Sequence, residues 1–103
     1  MKNIAKDIVL TKLSKFECQN YLSQYETELQ YINQVNSVED PQSLVRAISV
    51  VVRARGMSHI AKKTKLSRDG LYKAFSHNGN PSLTTVVRVL RGLGYQLKVI
   101  SLK

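Results

Sequence analysis

The sequence predicts a nearly all-helical fold of five or so short helices with one short strand at the C-terminal end. Three observations carry that expectation. Helix start and stop signals bracket the second half of the chain: Asp40-Pro41 opens a helix that Gly56 closes, and Ser82 (or Asn80 with Pro81) opens one that Gly94 closes. Between those signals the apolar residues recur at helical spacing. Strict alternation appears only in Tyr95-Gln96-Leu97-Lys98-Val99, before Ile100 breaks it, and reads as a strand.

In chain order, residues 1–13 have no clear helical period and fit either a short strand or an arm. Ser14-Lys15-Phe16-Glu17 has capping-box form, and Ser23-Gln24-Tyr25-Glu26 repeats it. These predict a helix near 15–22 and a longer one near 24–35, with Tyr25, Leu29 and Ile32 on one face, or else a single bent helix. Leu44, Ala47, Ile48, Val51 and Val52 form the apolar stripe of the helix after Asp40, which ends in Arg53 and Arg55, where positive charge complements the macrodipole and can approach phosphate. Leu83, Val86, Val87, Leu90 and Leu93 form the stripe of the last helix. The lone strand then needs a partner, from the N-terminal arm or from a second copy of the chain. The organisation expected is an N-terminal arm and helical extension over 1–36 and a second unit over 37–103.

With 103 residues the chain has room for one modest core. No apolar run approaches the ~20 residues of a membrane span, and a single cysteine, Cys18, excludes an internal disulfide and fits a reducing, cytoplasmic setting. Charge is unevenly placed. Residues 1–40 hold four lysines against six acids, net −2, whereas residues 41–103 hold twelve Lys or Arg against Asp69 alone, net +11. A field of that sign attracts polyanions, and with no basic helix that also offers an exposed aromatic face, nucleic acid fits better than a membrane surface. His59 and His77 stand apart from any carboxylate or cysteine at metal-ligand spacing. The sequence therefore offers no catalytic residue, metal ligand or cofactor motif, and the chain reads as a non-enzyme.

The stretch Met57 to Phe75 reads as two short helices joined by a tight turn at Lys65. Small Ala61 permits close contact, and Leu66 and Leu71 plug the core beneath. This is the helix-turn-helix pattern, whose second helix enters the DNA major groove. If Ser67 caps that second helix, Arg68, Asp69, Tyr72 and Lys73 are placed to read bases. Arg68 can bind guanine bidentately. Asp69 can accept from cytosine, orient Arg68, or simply complement the helix N-terminus. Ser58, Lys62, Ser67, Asn78, Asn80, Ser82, Thr84 and Thr85 are the candidates for the DNA backbone, since phosphate contacts position the duplex without reading it. Arg88 and Arg91 read as phosphate contacts or as solvated charges. Lys65 stands where such turns favour glycine, and Gly70 is unusual inside a helix. Gly70 fits a close approach to DNA, a close approach to another helix, or no constraint at all.

Taken together, ARGM after the Leu44–Gly56 helix, IAKKTKLSRDGLYKAFS and NGNPSLTTVVRVLRGLG resemble the addiction-module antidote proteins, antitoxins related to the HigA type with a Cro/CI-like helix-turn-helix domain. The resemblance covers about Pro41 to Val99. It implies a dimer that represses its own operon at an inverted repeat, and a small RelE-like toxin as protein partner. It also implies that Arg68, Asp69, Tyr72 and Lys73 are the reading positions. The acidic first 40 residues are the candidate toxin contact, because opposite charge speeds encounter with a basic partner. A phage-type repressor without a toxin, and a purely protein-binding inhibitor, are the alternatives. The last helix, with Leu83 to Leu93, and the C-terminal strand are the expected dimer surface.

Overall fold

The computed structural model describes residues 14–36 and 40–102, so the arm or strand expected at 1–13 lies outside the described residues. Among the described residues six helices follow in order: α1 Lys15–Leu22, α2 Glu28–Asn36, α3 Pro41–Arg55, α4 Met57–Thr64, α5 Arg68–Ala74 and α6 Leu83–Leu93. α1 and α2 pack on α3 from one side, and α4 follows α3 and packs on both α5 and α6.

α3 is the central helix. Asp40 caps it by accepting from the N–H of Gln42 at 3.0 Å, with Pro41 at the first turn. Nine of its fifteen residues are buried, too many for one stripe: Ser43, Ser49, Val50, Arg53 and Ala54 join the expected Ala47, Ile48, Val51 and Val52. A helix enclosed on most sides must be apolar or small on most sides. Gly56 then serves as the end of α3 and the start of α4, at φ 110 and ψ 120, a backbone shape that a side chain would strain.

The N-terminal pair departs from expectation in detail. Ser14 forms the predicted capping box with Glu17, both bonds 3.0 Å. The second box does not form. Ser23 instead closes α1, its hydroxyl donating to the Asn20 carbonyl, and Thr27 caps α2 by accepting from the N–H of Gln30 at 2.9 Å. Tyr25 therefore lies in the connection, and Leu29 is 46% exposed rather than on the inner face. Tyr31, Ile32 and Val35 are the buried residues, and the rings of Tyr21, Tyr25 and Tyr31 pack at 4.9–5.8 Å between centroids. Cys18 is fully buried and its thiol is pushed up to about 11 by desolvation, against which the nearby Arg53 charge works more weakly. It is a packing residue with an unreactive sulfur.

One polar staple ties three segments together. Arg55, the last residue of α3, donates from Nε and Nη2 to the Glu28 carboxylate, and the Tyr95 hydroxyl donates to the same carboxylate at 3.0 Å. Burial pushes the Glu28 carboxyl up, but the Arg55 and Tyr95 hydrogen bonds and the Arg55 charge outweigh it and hold it below the usual range.

α4 and α6 end in the same way. The N–H of Leu66 reaches back to the Ala61 carbonyl at 3.1 Å and that of Lys65 to Lys62, a Schellman closure with Lys65 left-handed at φ 61 and ψ 28. At the end of α6, Gly94 takes the left-handed position and Tyr95 bonds to the Leu90 carbonyl at 2.8 Å. Between the two helices a Cβ on Gly92 would stand 2.6 Å from Thr64 Cγ2, so the crossing needs glycine there. Arg88 Nη2 donates to the Thr64 carbonyl at 3.0 Å. Arg88, exposed as one of its two sequence readings expects, thus also clamps the end of α4.

The strand expected at Tyr95 to Ile100 is not formed, and there is no strand among the described residues. Alternation alone does not make a strand, because a ladder needs a second strand to receive its N–H and C=O groups. Leu97, Val99, Ile100 and Leu102 are exposed.

Two measurements follow from this fold. A left-handed non-glycine residue costs roughly 1–2 kcal/mol, so Lys65→Gly should raise unfolding stability by about 0.5–1 kcal/mol once the greater freedom of unfolded glycine is counted. An unchanged or lower denaturation midpoint would show that the turn is unstrained. Glu28 has a folded pKa below its unfolded value, so its contribution is complete above the ordinary carboxylate range and is lost as pH falls through the folded value. Glu28→Gln should cost about 1–3 kcal/mol at pH 7, and the gap from the parent should narrow toward pH 3. A pH-independent gap would contradict the staple.

Candidate nucleic-acid interface

The geometry of α4 and α5 follows from their ends. Ser67 caps α5 by accepting from the N–H of Gly70 at 2.9 Å, and its first turn carries Asp69 beside a positive helix end. A Cβ on Gly70 would meet Ser67 Oγ at 2.8 Å and no other heavy atom. Gly70 thus keeps the cap hydroxyl clear, and among the described residues no neighbouring helix comes within 4 Å of that position. Leu71 and Phe75 turn into the core, and Leu66 packs against it from the turn.

This leaves Arg68, Asp69 and Lys73 exposed along α5, with Lys62, Lys63 and Lys65 exposed on and beside α4. Five cations and one acid therefore share the surface of a nineteen-residue unit. Tyr72 sits differently. It is half-buried, its hydroxyl 3.2 Å from Arg53 Nη1 and its ring 4.6 Å beneath the Arg53 guanidinium carbon. Its polar end is turned to α3, whereas Arg68, Asp69 and Lys73 stand in solvent.

Of the residues read as backbone contacts, Ser58 is exposed in the first turn of α4 and Lys62 lies one turn on. Asn78 and Asn80 are exposed on the loop before α6, and Gln42 Nε2 fixes that loop by donating to the Gly79 carbonyl at 2.7 Å. Ser82 is the cap of α6, which decides between the two starts considered for that helix. It accepts from the N–H of Thr85 at 3.1 Å and bonds the Thr85 hydroxyl at 3.0 Å, while Thr84 is exposed.

Sequence reasoning placed Arg53 at a helix end, able to approach phosphate, but missed its burial. It is 6% exposed, with Nε donating to Ser49 Oγ at 3.3 Å and Nη1 to Tyr72. The signal was present: Ser49, four residues earlier on the helix, leaves space for a long side chain to fold back. Arg53 and Tyr72 line a cavity of ≈ 380 Å³ at the α3–α4 junction, which Lys15 of α1 and Arg68 of α5 also border.

A family model described as "probable addiction module antidote protein" matches residues 12–101. The chain belongs to that family. An antidote acts on a toxin, so membership brings a toxin partner in general terms. The chain is also 35% identical over 88 residues to an uncharacterized protein of Haemophilus influenzae, covering 85% of this chain and 91% of the relative. No solved structure matches the chain. No helix among the described residues is long and apolar enough to cross a membrane.

Proposed function

We propose that this antidote protein is a sequence-specific DNA-binding antitoxin that represses its own operon and neutralises a RelE-like toxin. The observation that carries the DNA reading is the pairing of α4 and α5 across the left-handed turn at Lys65. It buries Ile60, Ala61 and Leu71 beneath and leaves Arg68, Asp69 and Lys73 projecting on a basic face. In this reading the pair is a Cro/CI-like helix-turn-helix, α5 enters the major groove, and α4 with the start of α6 meets the backbone. Two copies joined through α6 and the exposed apolar tail would present two α5 helices about 34 Å apart to an inverted repeat.

The toxin contact belongs to the acidic N-terminal part of the chain in this reading. Phe16 on α1 is 74% exposed and Leu29 on α2 46% exposed, two apolar side chains that the core does not use. Because α1 and α2 also bury Cys18, Tyr21, Tyr31 and Val35 against the rest of the core, deleting them would dismantle the domain. Surface substitutions are the fair test.

Titration onto the chain's own upstream DNA and onto scrambled DNA at several salt concentrations tests the repressor. Preference for the upstream DNA should fall by about 1–3 kcal/mol on Arg68→Ala. Lys62→Ala should instead weaken both DNAs alike and flatten the log–log salt slope by about 0.9. Equal weak binding to both DNAs by the parent chain would sink the reading. For the toxin, Phe16→Ser with Leu29→Ser should abolish co-purification with a co-expressed RelE-like toxin while leaving DNA affinity intact. Undiminished co-purification would place the contact elsewhere.

A further inference from the structure

The cavity at the α3–α4 junction holds donors with no acceptor among the described residues. α4 starts at Gly56, which has no side chain to cap it, and the N–H groups of Met57, Ser58 and His59 precede the first helical bond, from Ile60 to Gly56. All four of those residues line the cavity. Arg53 lines it too, and its Nη2 is buried without a partner although Nε and Nη1 are both bonded. A buried arginine donor left unpaired is costly, typically several times the net worth of an ordinary hydrogen bond. Among the described residues no carboxylate lines the cavity, and of its cations only Arg55 is paired with one, Glu28.

We propose that this cavity is a preformed seat for a phosphate oxyanion, filled in the complex by one phosphodiester of the DNA backbone. The choice of DNA as the source rests on the repressor reading above. The helix start supplies N–H groups and a positive dipole end. Arg53 supplies a fixed charge from below, held by Ser49 and stacked on Tyr72, in a low-dielectric surrounding where charge acts strongly. Exposed Lys15 supplies a mobile cation at the rim; its Nζ lies 3.6 Å from where a Gly56 Cβ would stand. Tyr72 is then a positioning residue for Arg53 rather than a reader of bases. Lys15 brings the N-terminal extension into contact with the same anion.

The test uses the full chain labelled with 15N and titrated with inorganic phosphate against chloride at constant ionic strength. Saturable shifts confined to the Met57, Ser58 and His59 amides and the Arg53 Nε–H are expected. They should weaken about tenfold in Lys15→Gln and in Arg53→Lys, with far-ultraviolet circular dichroism checking the fold of each variant. Tyr72→Phe removes the hydroxyl anchor and should broaden or move the Arg53 signal while leaving the α4 amides responsive. Shifts spread evenly over the lysine-rich surface, or none at the cavity, would overturn the seat. In the DNA arm, Lys15→Gln should lower affinity for upstream and scrambled DNA by the same factor. A seat that binds phosphate while Lys15→Gln and Arg53→Lys leave DNA affinity and salt slope unchanged would overturn the backbone as its source. If the parent chain shows no preference for its upstream DNA yet loads the seat, the repressor reading falls and the seat remains.

Discussion

The enclosure of α3 is the constraint on which the rest of the structure depends. Val50, Val51 and Val52 are poor helix formers, each a few tenths of a kcal/mol to about 0.7 kcal/mol worse than alanine. All three are fully buried, which contributes about 1.5–3 kcal/mol each. Burial wins by a wide margin, so a segment with strand-like local preference stays helical. The helices that supply this burial are α1 and α2 on one side and α4 on the other, and each depends on α3 for its own inner face.

Two polar contacts inside this arrangement hold its segments in place. Glu28, Arg55 and Tyr95 join the N-terminal pair, the end of the central helix and the segment after the last one. Gln19 Nε2 adds a bond to the Ala54 carbonyl at 2.9 Å, in the last turn of α3. Both contacts act within a few residues of Gly56, where α3 gives way to α4. The angle at which α4 leaves the core is thus fixed from the side of the N-terminal extension as well as by the glycine itself.

Much of this was legible in the sequence where the signal is local. Ser14 with Glu17, Asp40 with Pro41, Gly56, Ser67, Ser82 and Gly94 each mark a helix end through a bond to the adjacent backbone. Lys65 was legible for the same reason, since the turn's geometry is set within a few residues. Ser23 failed because serine can close a helix as well as open one, and only the packing of Tyr21, Tyr25 and Tyr31 decides which. The apolar tail failed because strand formation depends on a partner that its own alternation does not supply. Arg53 was legible as a basic residue at a helix end but not as a buried one. Its partners Ser49 and Tyr72 lie on two different helices, and the second is nineteen positions away.

The shared central helix also bears on how the protein is removed. The buried residues of α1 to α6 form one cluster, so α1 is not a tail that can be trimmed while the remainder persists. A protease that engages α1 strips the cover from the face of α3 on which α1 packs, and the helix that supports α4 loses its packing with it. Neutralisation of a toxin and occupation of an operator, if this chain does both, would then end together, on a single clock set by one unfolding event.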